Sequence, residues 1–318
     1  AALFLGGMLV LVAGHLSWQA YLDSIPKVDA NDVKLWLYEP HREGTMAASL
    51  DKTSTLKLDG ELPRLDGATA LYPVYAAFAQ AVYPKASYDV YKSAVICTTT
   101  PQAYDNLIKG EADIIFCAGP SKAQQAAAEL AGVELILTPI GREAFVFFVN
   151  SRNPVTDLTS EQIRDIYAGD ITRWRDVGGG ALGRIRPFQR PEGSGSQTML
   201  LRVMGDRTPM TAPTEDVVAG MGGIIEQTAD YRNHRNAIGY SFLFFATELV
   251  KNDQIRLLSI DGVAPTPETI RNGSYPLGAP FYAITTTRDN PDIEAFLQWM
   301  LSPQGQTLVE ATGYTPIH

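Results

Sequence analysis

The apolar stretch EAFVFFVN, residues Glu143–Asn150, and the similar stretch AIGYSFLFF, residues Ala237–Phe245, decide the fold of this 318-residue chain. Both are long runs of aromatic and β-branched residues, which is typical of strands buried on both faces. They flank a long intervening block, and this arrangement predicts one domain inserted into another. We therefore expect two lobes joined by two crossover strands, at Glu143–Asn150 and Ala237–Ser241.

Strands alternate with helices on the N-terminal side of the first apolar stretch. The predicted elements are a short strand at Pro63–Thr69, a helix at Ala70–Val82, a strand at Val90–Cys97, a helix at Gln102–Lys109, a strand at Ala112–Cys117, a helix at Ser121–Leu130 and a strand at Val133–Ile140. Such alternation implies a mostly parallel sheet with helices on both faces. The predicted fold class is α/β and two-lobed, with a mostly parallel sheet in each lobe.

The second lobe and the end of the chain complete this organisation. Thr159 and Gln162 form a capping-box pattern that predicts a helix at Thr159–Tyr167. A closing helix pair at Asp292–Gly313, rich in Leu, Phe and Trp, is expected to pack back on the first lobe. We assign residues 62–142 and 242–318 to lobe 1, residues 143–241 to lobe 2, and residues 23–61, with one strand-like run at Val33–Tyr38, to a linker and small appendage.

The N-terminus is apolar, since residues 1–16 contain no Lys, Arg, Asp or Glu. The run is shorter than the roughly 20 residues of a membrane-spanning helix, and Trp18 and Tyr21 follow where interface aromatic residues would lie. We interpret residues 1–22 as a membrane anchor or the end of a transmembrane helix. A buried helix of the domain and the apolar core of a signal peptide are the alternatives. Anchoring would place the rest of the chain on the periplasmic or extracellular face of the cell membrane.

Composition excludes several classes of function. Lys and Arg number 26 against 35 Asp and Glu, a net charge of −9, so no basic surplus exists to neutralise the phosphates of a nucleic acid. Two cysteines and four scattered histidines provide neither a disulfide scaffold nor the spacing of metal ligands. We predict no metal, no cofactor and no nucleic-acid partner. The sequence leaves open whether Cys97 and Cys117, each at the end of a predicted strand, form a disulfide or stay as buried thiols.

Three turns combine hydroxyl or glycine residues with the start of a predicted helix. They are Gly67-Ala68-Thr69, Thr98-Thr99-Thr100-Pro101, and RPEGSGSQ at Arg190–Gln197, which precedes a helix at Thr198–Met204. The first turn of a helix presents free N–H groups and the positive end of the helix dipole, and both attract anions. Glycine lets the backbone approach an oxyanion, and an arginine adds a permanently charged fork. The turns predict an anion site, while a role as helix N-caps alone is the simpler alternative.

A serine nucleophile is a competing interpretation of the third turn. Ser194 or Ser196 would then serve a hydrolase, but the nucleophile elbow has the spacing Gly-x-Ser-x-Gly, and here the glycines are adjacent to Ser194. Neither serine has a base nearby in the sequence, because the histidines lie at positions 15, 41, 234 and 318. We therefore predict that the protein is not an enzyme.

Eight segments follow one another in a recognisable order over most of residues 62–318. They are DGATALYPVYAAF, KGEADIIFCAGPS, AFVFFVN, LTSEQIRDIYAGDITRWRDVGG, RPEGSGSQT, AIGYSF, NGSYPLGAPFYAIT and FLQWMLSPQGQTLVEATGYTPI. In this order the chain resembles the PstS-like phosphate-binding proteins of phosphate ABC transporters, which are type II periplasmic binding proteins. IYAGDITRWRDVGG followed by R-x-E-GSGS is specific to that group. The resemblance implies a bilobed fold with the ligand in the cleft between the lobes.

The resemblance also implies roles for individual residues. The first phosphate contact of the family, a Thr with the backbone N–H that follows it, corresponds to Thr69 and Ala70. The second falls in the Thr99/Thr100 pair, with Thr100 as the contact and Thr99 behind it. The remaining contacts correspond to Arg190, Ser194, Gly195 and Ser196, and the acidic residue that orients the arginine corresponds to Glu192.

The chain departs from the family pattern in two places. After the second strand the family has an Asp that accepts the proton of hydrogen phosphate and repels ionised sulfate, whereas this chain has Ala118. Pro101-Gln102 also replaces the Gly-Gly that usually follows the second contact. A site made only of donors should still bind an oxyanion, with a weaker or different preference.

These features imply non-enzymatic binding of phosphate or a related oxyanion between the lobes, as a membrane-tethered substrate-binding protein of a phosphate uptake system. The implied partners are the anion, the permease of an ABC transporter or another membrane protein, and the membrane through the N-terminus. The alternative is an extracytoplasmic sensor or adaptor domain of a larger membrane protein, with an altered or degenerate anion site.

Overall fold

The computed structural model describes residues 2–23, 34–212, 234–249, 254–287 and 291–317. Its helices are α1 Ala2–Asp23, α2 Tyr72–Val82, α3 Thr100–Lys109, α4 Lys122–Leu130, α5 Ser160–Ala168, α6 Gly195–Met204, α7 Pro267–Arg271, α8 Pro291–Leu301 and α9 Pro303–Ala311. Its strands are β1 Leu65–Gly67, β2 Ile114–Cys117, β3 Leu135–Asn150, β4 Asp157–Leu158, β5 Arg186–Pro187, β6 Ala237–Phe242, β7 Ile255–Leu257, β8 Ser259–Ile260 and β9 Gly278–Thr286. Helices of the 3₁₀ type lie at Leu35–Tyr38, Thr69–Leu71, Trp174–Val177 and His234–Asn236.

Strand β3 replaces two strands that the sequence predicts separately, at Val133–Ile140 and Glu143–Asn150. It pairs antiparallel with β9 along its first part and with β6 along its second part. The two parts join through a register irregularity between Pro139 and Gly141. A Cβ on Gly141 would lie 2.3 Å from Cζ of Phe281, so the close approach of β9 leaves room for glycine alone. One continuous strand therefore runs through both parts of the sheet.

The larger sheet has the strand order β1-β2-β9-β3-β6-β5, and β7 also pairs with β3. The pairs β1–β2 and β5–β6 are parallel, whereas β9, β6 and β7 all run antiparallel to β3. The α/β class agrees with the prediction, but the sheet is mixed rather than mostly parallel. The reason is that β6 and β9 return along β3 as antiparallel partners instead of crossing over to lie parallel to it.

Two large hydrophobic clusters form around different parts of the sheet. The first surrounds the second part of β3 together with β6, α5 and α6. Its aromatic centre contains Phe145, Phe147, Tyr167 and Tyr240, whose contacting ring centroids lie 5.3 to 6.0 Å apart. The second cluster contains α2 together with α8 and α9. The closing helix pair thus packs back on the N-terminal elements, as the sequence predicts.

The segment from residue 34 to residue 61 also packs on the second cluster, where Leu35 and Leu58 are buried. The described part of the predicted strand Val33–Tyr38 is the 3₁₀-helix Leu35–Tyr38 instead. Its backbone bonds locally, since the N–H of Leu37 donates to the carbonyl oxygen of Lys34 at 3.0 Å. Short-range bonds of this kind leave no row of donors for a partner strand.

The predicted strand at Val90–Cys97 does not form. Among the described residues, the only bridge in this stretch joins Val95 to Leu65. The N–H of Cys97 donates to the carbonyl oxygen of Val90 at 2.8 Å, so the segment turns back on itself instead of extending along β1. Cys97 and Cys117 are both buried, free thiols in this structure.

The apolar N-terminus forms the 22-residue helix α1. Of the described helices, none combines the length and the apolar character that crossing a membrane requires. The anchor at residues 1–22 stays a prediction.

We expect Phe147→Ala to lower the free energy of unfolding by about 3–5 kcal/mol, because it removes a fully buried ring and leaves a cavity. Urea unfolding followed by circular dichroism measures the change. The control is Leu130→Ala, since Leu130 is 90% exposed and its truncation should change the free energy by less than about 0.5 kcal/mol. Equal stability of the Phe147 variant and the parent would contradict the position of this ring in the cluster.

Candidate anion-binding site

The buried carboxylate of Asp66, near the end of β1, joins two of the three predicted turns. Its Oδ1 accepts hydrogen bonds from the backbone N–H groups of Gly67 at 2.7 Å and Thr98 at 2.9 Å. Its Oδ2 accepts from the Thr98 hydroxyl and from Asn106 Nδ2, both at 2.8 Å. Burial raises the pKa of Asp66, and the four donors act in the opposite direction. The carboxylate therefore connects the turn after β1 to the start of α3.

The first turn places Thr69 and Ala70 directly before α2. Thr69 is half-buried. Burial raises the pKa of the nearby Cys97 thiol, and the Thr69 hydroxyl acts in the opposite direction. Ala70 is buried, and its carbonyl oxygen accepts a hydrogen bond from the Tyr314 hydroxyl. The C-terminal segment thus holds this turn in place through its backbone.

The second turn places Thr100 in the first turn of α3. Thr99 is exposed and caps the helix, since its hydroxyl accepts from the N–H of Gln102 at 3.4 Å. Thr100 is buried and faces α6, because a Cβ on Gly195 would lie 3.2 Å from Thr100 Oγ1. The N-terminal ends of α3 and α6 therefore meet.

Helix α6 begins at Gly195, three residues before the predicted start at Thr198, because Ser194 is its N-cap. The Ser194 hydroxyl accepts from the N–H of Gln197 at 3.2 Å. Gly195 and Ser196 occupy the first turn, where backbone N–H groups have no partner within the helix. Ser196 is fully buried, and among the described residues its hydroxyl has no hydrogen-bond partner. A buried hydroxyl of this kind costs about 1–3 kcal/mol, a cost that a bound acceptor would remove.

Arg190 lies partly buried before the same helix. Its backbone N–H donates to Gln197 Oε1 and to the Tyr240 hydroxyl, at 2.9 Å each, and Tyr240 donates to Gln197. Burial lowers the pKa of the guanidinium to about 10, so Arg190 remains a cation at neutral pH. Glu192 is exposed. Gln197 and Tyr240 hold the Arg190 backbone, and the role of Glu192 in orienting the arginine stays a prediction.

A small cavity lies where these elements meet. Its lining includes three of the predicted site residues, Ala70, Thr100 and Gly195, together with Ala118. Glu143 of β3 and Phe242 of β6 line it from the two crossover strands. The other lining residues are Ala68, Leu71, Ala279, Pro280 and Phe281. The lining does not include Thr69, Thr99, Arg190, Glu192, Ser194 or Ser196.

A larger cavity, of about 460 Å³, lies between the segment that begins at Lys34 and the C-terminal end of α9. None of the predicted site residues lines it. Since no residue of the three turns lines it, we place the candidate site in the small cavity.

Hydrogen bonds connect the first part of the chain to the RPEGSGSQ motif and to α6. Gln124 Nε2 of α4 donates to the carbonyl oxygen of Gly193 at 3.1 Å. Arg202 Nη2 of α6 donates to the carbonyl oxygen of Pro120 at 3.4 Å. A Cβ on Gly119 would lie 2.7 Å from that same nitrogen, so glycine lets the arginine approach.

The chain can now be placed in a family. Residues 60–304 match the family model described as a PBP superfamily domain. The chain belongs to the PBP superfamily. Among curated relatives, the phosphate-binding protein PstS of Bacillus subtilis is 29% identical to this chain over 171 residues. The match covers 53% of this chain and 53% of that protein. PstS of Borreliella burgdorferi is 26% identical over 187 residues, 57% of this chain and 65% of that protein. The matches thus span between half and two thirds of the length of these relatives.

Solved structures agree with the fold. A phosphate-bound crystal structure from Clostridium perfringens has a TM-score of 0.60 at 24% identity and covers 80% of this chain and 98% of that chain. An ABC-type phosphate transport receptor from Vibrio cholerae has a TM-score of 0.58 at 20% identity, with coverage of 79% and 98%. The predicted two-lobed type II periplasmic-binding-protein fold is confirmed.

Sequence reasoning does not identify three residues of the candidate site. Asp66 gives a weak signal, as a charged residue within a predicted buried strand. Glu143 stands at the start of a very apolar run, where a polar residue is unremarkable. Gln124 forms a capping box with Ser121, and this pattern explains it without any contact to the motif at Arg190–Gln197.

We expect Gln124→Ala to accelerate amide hydrogen exchange in residues 190–195 about fivefold, because losing a hydrogen bond of about 1 kcal/mol makes opening of this loop more frequent. Hydrogen–deuterium exchange followed by mass spectrometry measures the rate. The matched control is Gln162→Ala, since Gln162 has the same place in the capping box of α5, and among the described residues its hydrogen bonds go to Thr159. Equal exchange in both variants would show that Gln124 acts as a cap only.

Proposed function

We propose that the chain binds phosphate, or a related oxyanion, without converting it, in the cavity lined by Ala70, Thr100, Gly195 and Ala118. The observation that carries the proposal is the meeting of the first turns of α3 and α6 at this cavity. Each first turn adds free N–H donors and about half a positive charge. Two such turns aimed at one place favour an anion over a neutral or cationic ligand.

Side chains complete the donor set in this proposal. The hydroxyls of Thr69, Thr100 and Ser196 and the N–H groups of Ala70 and Gly195 would donate to the anion. Arg190 would supply the balancing charge. Ser194 would contact the anion as the resemblance implies, and Thr99 and Glu192 would support the contact residues from behind. Ser196 is the strongest of these assignments, because its buried hydroxyl has no partner among the described residues.

The relatives support phosphate as the anion. The curated relatives are phosphate-binding proteins, and the Clostridium perfringens structure contains phosphate. We propose by extension that the chain is the substrate-binding protein of a phosphate uptake system, outside the cytoplasm, with an ABC-transporter permease as partner and a membrane tether at residues 1–22. No described contact favours the alternative role of a sensor or adaptor domain.

The crossover strands offer a mechanism for capture and release. β3 and β6 pair from Phe145 opposite Phe242 to Val149 opposite Ile238, and they carry Glu143 and Phe242 into the cavity lining. We assign residues 62–142 and 242–318 to one lobe and residues 143–241 to the other, with bending about these strands opening the cavity to solvent. Closure would then surround the anion with both helix ends.

The serines of the motif do not favour a hydrolase. The Ser194 hydroxyl accepts from the N–H of Gln197, and among the described residues no base is bonded to the Ser196 hydroxyl. A serine nucleophile requires a base within hydrogen-bond reach. The contacts of these two serines therefore support binding of an anion without conversion of the anion.

We expect Arg190→Ala to weaken phosphate binding by about 100-fold or more, because charge-assisted hydrogen bonds contribute about 1.5–3 kcal/mol each. Isothermal titration calorimetry of the full chain at pH 7 measures the affinity. The control is Arg175→Ala, since the Arg175 side chain is 69% exposed and pairs with Asp176 on the surface. Unchanged affinity in the Arg190 variant would remove Arg190 from the site.

We expect little preference for phosphate over sulfate at pH 7, and we expect Ala118→Asp to increase it mainly by weakening sulfate binding. The physical reason is that a carboxylate accepts the proton of hydrogen phosphate but repels an anion that has none. Competitive titration with both anions measures the preference. Ala118→Asn is the matched control, because it has the same shape and no charge. A parent preference for phosphate of about 1000-fold or more would contradict the expectation.

A further inference from the structure

Glu143 of β3 lines the candidate cavity and also bonds the chain beyond β6. It lies in β3 opposite Ala279 of β9, and two residues later the same strand pairs Phe145 with Phe242 of β6. The buried side chain reaches past β6, where its Oε1 accepts from the backbone N–H of Phe244 at 2.9 Å. Glu143 thus links β3 to the segment that follows β6, and it lines the cavity where the helix ends meet.

The surroundings of this carboxyl are apolar. Among the described lining residues, Glu143 is the only titratable one, and Thr100 is the only other residue with a polar side chain. The neighbouring Arg142 is exposed, as the alternation of side chains along a strand requires. Tyr314 of the C-terminal segment lies near Glu143, and a negative charge on Glu143 would raise the pKa of Tyr314. Burial holds the pKa of Tyr314 well above its ordinary value, so it stays neutral in the physiological range.

A carboxyl group in such a place is held in its neutral form. Moving a carboxylate from water into an apolar cavity without a cation is costly, and one backbone N–H offsets only part of the cost. Burial raises the pKa of Glu143 to about 8, against the effect of the Phe244 N–H. At pH 7 the group is therefore mostly an uncharged acid with a proton to donate.

We propose that Glu143 is a specificity-determining residue of the anion cavity, which admits fully ionised oxyanions when the side chain is neutral and repels them when it is a carboxylate. The inference rests on the proposed function and adds a proton-controlled selectivity to it. The neutral acid donates its O–H to an anion oxygen, whereas the carboxylate has no proton to give and carries a like charge. Bound anion therefore stabilises the protonated form, and binding takes up a proton above the pKa of the free protein.

Sulfate is the probe that isolates this effect, because it has no titrating proton between pH 6 and pH 9, whereas phosphate does. If only neutral Glu143 admits sulfate, the affinity is constant at low pH and falls about tenfold between pH 7 and pH 9. Arg190 does not produce this fall, since its pKa is about 10 and it stays protonated through most of this range. Isothermal titration calorimetry of the full chain at each pH measures the affinity.

Two variants test whether the pH dependence of sulfate binding comes from Glu143. Glu143→Gln keeps the shape and removes the titration, so its sulfate affinity should not change between pH 7 and pH 9. Glu129→Gln is the matched control, because Glu129 is an exposed carboxylate of α4, bonded to Gln125, and this variant should show the same pH dependence as the parent. An identical fall in the Glu143 variant and the parent would overturn the proposal.

A second measurement needs no variant and covers the case in which Glu143→Gln does not fold. The parent is titrated with sulfate at pH 8 in two buffers of different ionisation enthalpy, and the difference in heat gives the protons taken up. We expect about half a proton per sulfate bound. No uptake would overturn the role of Glu143. Binding of phosphate but not sulfate at pH 6.5 would also overturn it and leave the proposed function intact, whereas a protein that binds neither anion would overturn both.

Discussion

The carboxylate of Asp66 is the interaction on which the rest of the site depends. A charge buried within β1 is costly unless donors surround it. The donors that satisfy it come from the turn that follows β1, from Thr98 and from Asn106 within α3. Satisfying this one group therefore draws the end of β1 and the start of α3 together. Because β2 pairs parallel to β1, its end, with Ala118 just beyond, arrives at the same edge of the sheet.

The second half of the site depends on the crossover strands. β6 pairs with β3 and carries Tyr240, whose hydroxyl bonds both the Arg190 N–H and Gln197 in the first turn of α6. The strand pairing thus orients the N-terminus of α6, and the contact of Gly195 with Thr100 brings it against α3. Two buried polar networks, one centred on Asp66 and one on Tyr240, therefore hold the two helix ends that meet at the candidate cavity.

The cavity has few polar side chains, and the first turns of α3 and α6 meet at it through Thr100 and Gly195. Ala118 lines it at the position that would hold an acidic group in the resembled family. Glu143, which also lines the cavity, comes from β3 and is desolvated. Selectivity in such a site depends on the protonation of a buried group more than on the count of hydrogen bonds, because a neutral acid and a carboxylate have opposite effects on an anion.

The sequence by itself determined those helices and strands that depend on residues close together in the chain. The cap of α5 and the apolar strands at Glu143–Asn150 and Ala237–Phe245 follow from patterns within a few residues, and the structure contains them. The three predicted turns each precede a helix, although α6 begins three residues earlier than predicted. The rest was decided by partners far along the chain. Val90–Cys97 has the composition of a strand but bends back on itself, and two predicted strands merge in β3 because β9 pairs with the chain on both sides of the irregularity at Pro139 and Gly141. Glu143 and the Phe244 N–H that it accepts are 101 residues apart, so only the tertiary structure sets the burial that changes its pKa.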